Sequence, residues 1–251
     1  MILCVTGRRT VMTATANPRS RRGAAGARTR RPTGPHPGAL GLISLGLTLA
    51  SLASAALLAD GRTYVSPFAT TAQILSYYRQ HEMATRVSAT LLFGSAVPLG
   101  ILAATAYTRL LRLGVRVPGP SIGLFGGVAA SLMLMISAIA GWILGRPEIG
   151  GNPGVLHALL FLSFLTGGVG FVIGLGLLIA GVAVPVLVLR LVPRWLAWAG
   201  LVIAALSELT FLAMAITPIQ VLLPVGRYAG LLWLITVGFL LPTRRPNEER
   251  R

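Results

Sequence analysis

Between Val155 and Leu189 the chain runs for 35 residues without a charge, and it is the longest of several such runs. Gly38–Ala59, Val87–Thr108 and Ser121–Gly145 also carry none. Trp195–Thr217 holds only Glu208, and Ile219–Leu241 only Arg227. A bilayer core about 30 Å thick takes about 20 apolar helical residues. Inside it, each backbone N–H and C=O must be satisfied within the chain. Six crossings fit, so the expected fold is all-α: a polytopic bundle of transmembrane helices. Hydrophobic residues make up 54% of the chain and charged ones 11%, against about 25% charged in soluble domains. That excludes a soluble enzyme and a disordered chain. A single cysteine, Cys4, excludes a disulfide-stapled domain and leaves no redox role to argue.

The fourth run is too short for two crossings and a turn. As one straight helix it would reach about 52 Å. The sequence therefore predicts a break or kink at Gly167-Gly168-Val169-Gly170, and a further bend at Pro185. Pro98, in Gly94-Ser95-Ala96-Val97-Pro98, predicts a kink in the second span. Between the first two spans, Thr70–Arg86 contains no Gly or Pro. It reads as an interfacial helix or an outward extension of the second span.

Charge placement gives the sidedness. All 22 basic residues are arginine, and eight of them, from Arg8 to Arg31, lie in the first 36 residues, where no acid occurs. With the amino terminus inside and six spans, 17 arginines fall inside against four outside (Arg62, Arg79, Arg86 and Arg146), with Arg227 within a span. Short arginine-rich loops stay cytoplasmic, which predicts both termini in the cytoplasm of a bacterial inner membrane. Trp195, Trp198 and Tyr107 fall at the inner interface, and Tyr77, Tyr78 and Trp142 toward the outer one. Residues 1–37 show no hydrophobic period and read as a disordered, arginine-rich cytoplasmic tail. Its expected partners are membrane lipids, anionic ones included. Nucleic acid is not an expected partner; another protein or a second copy of the chain is. Residues 242–251 form a short charged tail. Met12 is an alternative start, and Ala53-Ser54-Ala55 has the small-residue look of a cleavage site in an overlong leader, which argues for a retained span.

Glu208 and Arg227 are the sharpest chemical features. An ionisable group at the bilayer centre costs about 2.5–3.5 kcal/mol on insertion scales and usually finds a partner. Glu208 lies about 13 Å below the outer end of its helix and Arg227 about 10 Å below the start of the next. The two helices are antiparallel and joined by a short turn, so an intramembrane Glu208–Arg227 pair is expected, either structural or ligand-binding. His157 and the Gly167, Gly168 and Gly170 segment, with Pro98, are the other candidate cavity residues, because interrupted helices in transporters offer backbone groups to substrate. Glycine spacings such as Gly170-x3-Gly174 and Gly226-x3-Gly230 read as helix packing, and span serines and threonines as helix-to-helix hydrogen bonders. No HxxxH or ExxH pair supports a metal site. No GxSxG, Walker or dinucleotide fingerprint appears either, so no catalytic residue and no cofactor is assigned.

From the second span onward the chain resembles small multi-span bacterial membrane proteins grouped as a domain of unknown function. Phe93-Gly94-Ser95-Ala96-Val97-Pro98-Leu99-Gly100, Leu191-Val192-Pro193-Arg194-Trp195-Leu196, Ser207-Glu208-Leu209 and Leu223-Pro224-Val225-Gly226-Arg227 carry the likeness, over residues 87–243. It implies a helical membrane protein and no activity. The expected role is a non-enzymatic accessory or structural membrane protein. The alternative is a small-solute or proton-coupled transporter using Glu208 and Arg227 in a cavity, with a membrane-embedded lipid enzyme the third reading.

Overall fold

The computed structural model describes residues 34–62, 64–149 and 152–242. The amino-terminal tail, with Cys4, Met12 and its eight arginines, lies outside the described residues, as does the carboxy-terminal tail beyond Pro242. Described structure is helical throughout: α1 (Pro37–Leu58), α2 (Thr71–Gln80), α3 (Glu82–Arg112), α4 (Gly119–Leu144), α5 (Pro153–Phe164), α6 (Phe171–Val188), α7 (Arg194–Leu209) and α8 (Leu222–Leu240). α5 and α6 form one continuous helix of 36 residues, Pro153–Val188. α7 and α8 are lengthened toward each other by 3₁₀ turns, Thr210–Met214 and Thr217–Val221. Six helices are long and apolar enough to cross a membrane. This is a multi-pass integral membrane protein, with the described ends of the chain on one side.

The predicted spans and the observed helices agree to within a few residues, since apolar length sets both. The stretch before the second span does both things expected of it. α2 is a separate short helix, and α3 begins as an outward extension at Glu82, the two parted at His81 (φ −122°, ψ 37°). Thr70 starts α2 with a capping box: its Oγ1 accepts from the Gln73 N–H, while the Gln73 side chain accepts from the Thr70 N–H, satisfying two donors that a helix start leaves open. Asn152 caps α5 in the same spirit, accepting from the Gly154 and Val155 N–H groups, with Pro153 at the first helical position. At the opposite end of α3, Gly114 takes φ +86°. It donates to the Leu111 carbonyl while Val115 donates to that of Leu110, the two bonds of a Schellman stop.

Of the break or kink expected in the long helix, the break is a correction. The chain does not unwind at Gly167–Gly170. Residues Leu165–Gly170 form a π-helical stretch, and the flanking Phe164 and Phe171 keep helical torsions (φ −64°, ψ −47° and φ −63°, ψ −47°). Wider i→i+5 turns absorb the glycines without exposing a broken backbone. α3 runs through Pro98 and α6 through Pro185 without interruption. Next to Pro98, serines from two neighbours reach the weakened ladder: Ser44 donates to the Ser95 carbonyl at 2.8 Å and Ser131 to the Ala96 carbonyl at 2.8 Å.

The helices pack in a ring. α1 lies on α3, α3 on α4, α4 on α6, α6 on α8, and α8 returns to α1. α7 sits outside the ring, against α6 and α8. At the termini end the ring is closed by glycine: Gly38 lies under the Phe239 ring, Gly41 faces Ile235 and Gly238 faces the Gly38 backbone. At the other end, α2, the start of α3 and the start of α5 form a second small core around Ile74, Tyr77, Tyr78, Leu144 and Leu156. Tyr77 and Tyr78 are buried there rather than spread along the interface, while Trp195 and Trp198 are exposed as interfacial residues should be.

Candidate functional site

Between those two closures the ring lines a partly open cavity of about 470 Å³. Its wall comes from α1 (Thr48, Ser51, Leu52), α3 (Thr85, Ser88, Ala89, Leu92), α4 (Ser137, Ala138, Gly141, Leu144), the long helix (Leu160 to Val172) and the final span (Gln220 to Tyr228). Tyr64, Val65 and Pro67 of the loop after α1, together with Tyr78 of α2, line the end away from the termini. Each of the five ring helices contributes; α7 does not.

The hydroxyls share one property. Thr48 donates to the Ser44 carbonyl at 2.9 Å, Ser51 to that of Ser88 at 2.7 Å, Thr85 to that of His81 at 2.9 Å and Ser88 to that of Thr85 at 3.1 Å. Ser137 donates to the Ser163 carbonyl at 2.8 Å, and Ser163 to that of Ser137 at 3.2 Å. A hydroxyl has a single proton, so these six have committed theirs to backbone and turn only lone pairs to the interior. Three of these bonds, from Ser51, Ser137 and Ser163, also join helix to helix, as expected of polar residues in spans. The Tyr78 phenol is pushed well above its ordinary pKa by burial, and further by the Tyr77 and Tyr64 phenols beside it. It therefore faces the cavity as a neutral group.

Arg227 is the one cation among the described lining residues. Its guanidinium lies over the Phe171 ring, 4.8 Å from the centroid, and its Nη2 donates to the Gly167 carbonyl oxygen. Both contacts belong to the π-helical stretch and its first following residue, so the wider turn supplies the acceptor that holds the arginine. A guanidinium has five N–H donors; with one face stacked and donors directed to the Gly167 carbonyl and the Tyr228 side chain, others are left for the cavity.

The expected Glu208–Arg227 pair is not formed. No ion pair joins them: Arg227 turns to Gly167, and Glu208 Oε1 has no hydrogen-bond partner. Matching depth was the right inference and azimuth was the omission. The residues that meet between α7 and α8 are their neighbours, Ser207 and Gly226: a Cβ on Gly226 would stand 2.9 Å from Ser207 Oγ. One residue further along either helix is about 100° further round. Arg227 therefore swings into the ring, and Glu208 faces α6, where its Oε1 would lie 2.8 Å from a Cβ on Gly176.

Of the other candidates, Gly167 and Gly168 line the cavity. Pro98, Gly170 and His157 are not on its wall. Pro98 is buried in α3 among apolar neighbours, Gly170 packs on Met133 of α4, and His157 holds its Nδ1 3.0 Å from the Pro153 carbonyl at the start of α5. Among the described residues, no three of His, Cys, Asp and Glu gather as metal ligands. Sequence reading missed the hydroxyl lining, Tyr64, Gln220 and Tyr228. A usable signal was present in Ser44, Thr48 and Ser51, spaced i, i+4, i+7 on a helix whose other hydroxyl is Ser54. No family model, curated protein or solved structure matches the chain.

Proposed function

We propose that the protein is a solute-binding integral membrane protein whose ring of helices receives an anion at Arg227. One observation carries this reading: a guanidinium on the wall of a transmembrane cavity, with no carboxylate paired to it. An unneutralised cation in the membrane interior is expensive, and the stacking and carbonyl contacts leave its charge in place. The described lining offers hydroxyls, phenols, an amide and this one cation, a set suited to holding a molecule rather than to attacking one. The role is accordingly non-enzymatic.

The transporter reading gains from the cavity at Arg227 and loses Glu208, which stands outside the ring. The accessory reading, in which the bundle works through partners, keeps the support of its glycine-closed helix contacts. Reconstitution separates them. Vesicles carrying the protein should take up a labelled organic anion faster than empty vesicles if it is a carrier, and should only bind it if it is accessory. In both cases Arg227→Gln should lower anion binding at least tenfold; unchanged binding removes the reading.

Arginine distribution supports an orientation with both termini cytoplasmic in a bacterial inner membrane, and the basic tail suits anionic lipid headgroups. Accessibility labelling of single cysteines introduced at positions 62 and 116 tests the orientation, the first reacting from outside and the second only after permeabilisation.

A further inference from the structure

The cavity says more about its occupant than its sign. We propose that it holds a single-headed amphipathic acid, with the anionic group on Arg227 and an apolar body reaching toward the 64–67 loop. The proposal rests on the anion-binding reading above and adds the ligand's charge number, shape and orientation.

Charge number follows from the donors. Arg227 is the single cation on the described wall, and the six serine and threonine hydroxyls have given their protons to carbonyl groups. A second acidic group would meet lone pairs where it needs protons. Donors that remain free of backbone are few and neutral, so one negative charge is matched and two are not.

Shape follows from where the apolar wall lies. Arg227 is tied to Gly167. From there the long helix runs seven residues to Leu160, about 10 Å, with Phe164 between them on the same wall. Leu52 and Leu144 face that stretch from α1 and α4, and Val65 closes it from the loop. A bare inorganic anion or acetate would satisfy Arg227 and leave this upper volume empty. Cavities of 300–1,000 Å³ are the size that takes drug-sized ligands, with a few polar groups fixing orientation. An acid head at the arginine and an alkyl stem toward Val65 fill both parts.

Equilibrium dialysis of labelled acids against the full chain in nanodiscs, with empty nanodiscs subtracting partition into lipid, tests this. Decanoate should bind at least 30-fold more tightly than acetate or inorganic phosphate, because each buried methylene adds up to about fourfold. It should also bind at least tenfold more tightly than decanol, which lacks the charge, and than the dianion sebacate. Arg227→Gln should remove the preference over decanol. Gly168→Leu, which adds a side chain on the cavity wall, should weaken decanoate at least tenfold while the detergent melting temperature stays near that of the parent. A Cβ there meets only Leu223 Cδ1, at 3.5 Å, and the melting temperature checks that the larger side chain leaves the fold in place. Acetate or phosphate binding as well as decanoate overturns the amphiphile and leaves the anion-binding reading standing. Decanol or sebacate matching decanoate overturns the single-headed acid. If no acid binds above empty nanodiscs, both readings fall together.

Discussion

The long helix uses glycine in two ways that differ sharply over a few turns. From Gly174 to Gly181 it lies against α4 with backbone on backbone. A Cβ on Gly174 would stand 2.6 Å from the Ala130 nitrogen and 2.8 Å from the Gly126 carbonyl. Two turns earlier, Gly167 packs closely on the Ser137 side chain, whereas a Cβ on its neighbour Gly168 would meet only Leu223 Cδ1 at 3.5 Å, on the cavity wall. The first pattern is the close approach that small residues allow between membrane helices, where dispersion and packing replace the hydrophobic effect as the driving force. The second leaves room, and the room holds an arginine. What distinguishes them is the partner: α4 presents Gly126 and Ala130 to Gly174, while Gly168 has only a leucine side chain of α8 near it. The same residue type thus serves a backbone-to-backbone joint at Gly174 and open cavity wall at Gly168.

The seam should be the easier to break. Gly174→Ala forces the α4 backbone away from α6, and overpacking of this kind costs about 1–3 kcal/mol. Because these neighbours are main-chain atoms that cannot rotate aside, the expected loss is about 3 kcal/mol, read as a fall in detergent melting temperature and in the yield of monodisperse protein. Ser137→Ala comes next. It removes the bonds that tie α4 to α5 at Ser163, and interhelical hydrogen bonds in membrane proteins average about 0.6 kcal/mol with a ceiling near 1.7. A loss of about 1 kcal/mol is expected, because the Ser163 hydroxyl keeps its own carbonyl acceptor. A loss as large as that of Gly174→Ala would mean that the cavity wall, too, is a structural joint. Gly168→Ala should be smaller still, within about 0.5 kcal/mol of the parent, since the added methyl enters ordinary contact and relieves backbone entropy. Equal damage from both glycine substitutions would erase the distinction drawn here.

Much of this was readable before any coordinate. Apolar length fixed the six spans, because a hydrocarbon slab imposes one helix length on any sequence that crosses it. The oversize fourth run signalled an irregularity at Gly167, although glycine content alone does not say whether a helix will break or widen. It widened, and the widened stretch packs on α4 and on the 3₁₀ turn that follows α7. What pattern could not give was rotation. Gly226 and Ser207 are the contact pair because they are the small residues that let α7 and α8 approach. That choice sends Arg227 inward and Glu208 toward Gly176. Depth is a sum over residues and can be counted; azimuth depends on which face each helix surrenders to its neighbours. The hydroxyl lining was missed for a related reason: serines scattered over α1, α3, α4 and α5 gather only when the ring closes.

Glu208→Gln should be the mildest change, and it separates the observed arrangement from the ion pair that the sequence suggested. Removing one member of a buried pair strands the other and costs about 3–5 kcal/mol. In the structure no ion pair is broken by the change: Glu208 Oε1 is already buried without a hydrogen-bond partner, Arg227 is held by Gly167 and Phe171, and the substitution keeps the shape that faces Gly176. The expected shift is within about 0.5 kcal/mol, the range of changes that touch no named interaction, with anion binding at Arg227 unaltered. A drop of 3 kcal/mol or more, rescued by Arg227→Gln in the double variant, would restore the pair and place α7 inside the functional ring. Without that rescue, α7 remains a buttress whose acid is independent of the cavity, and the chemistry of the site belongs to the five helices that line it.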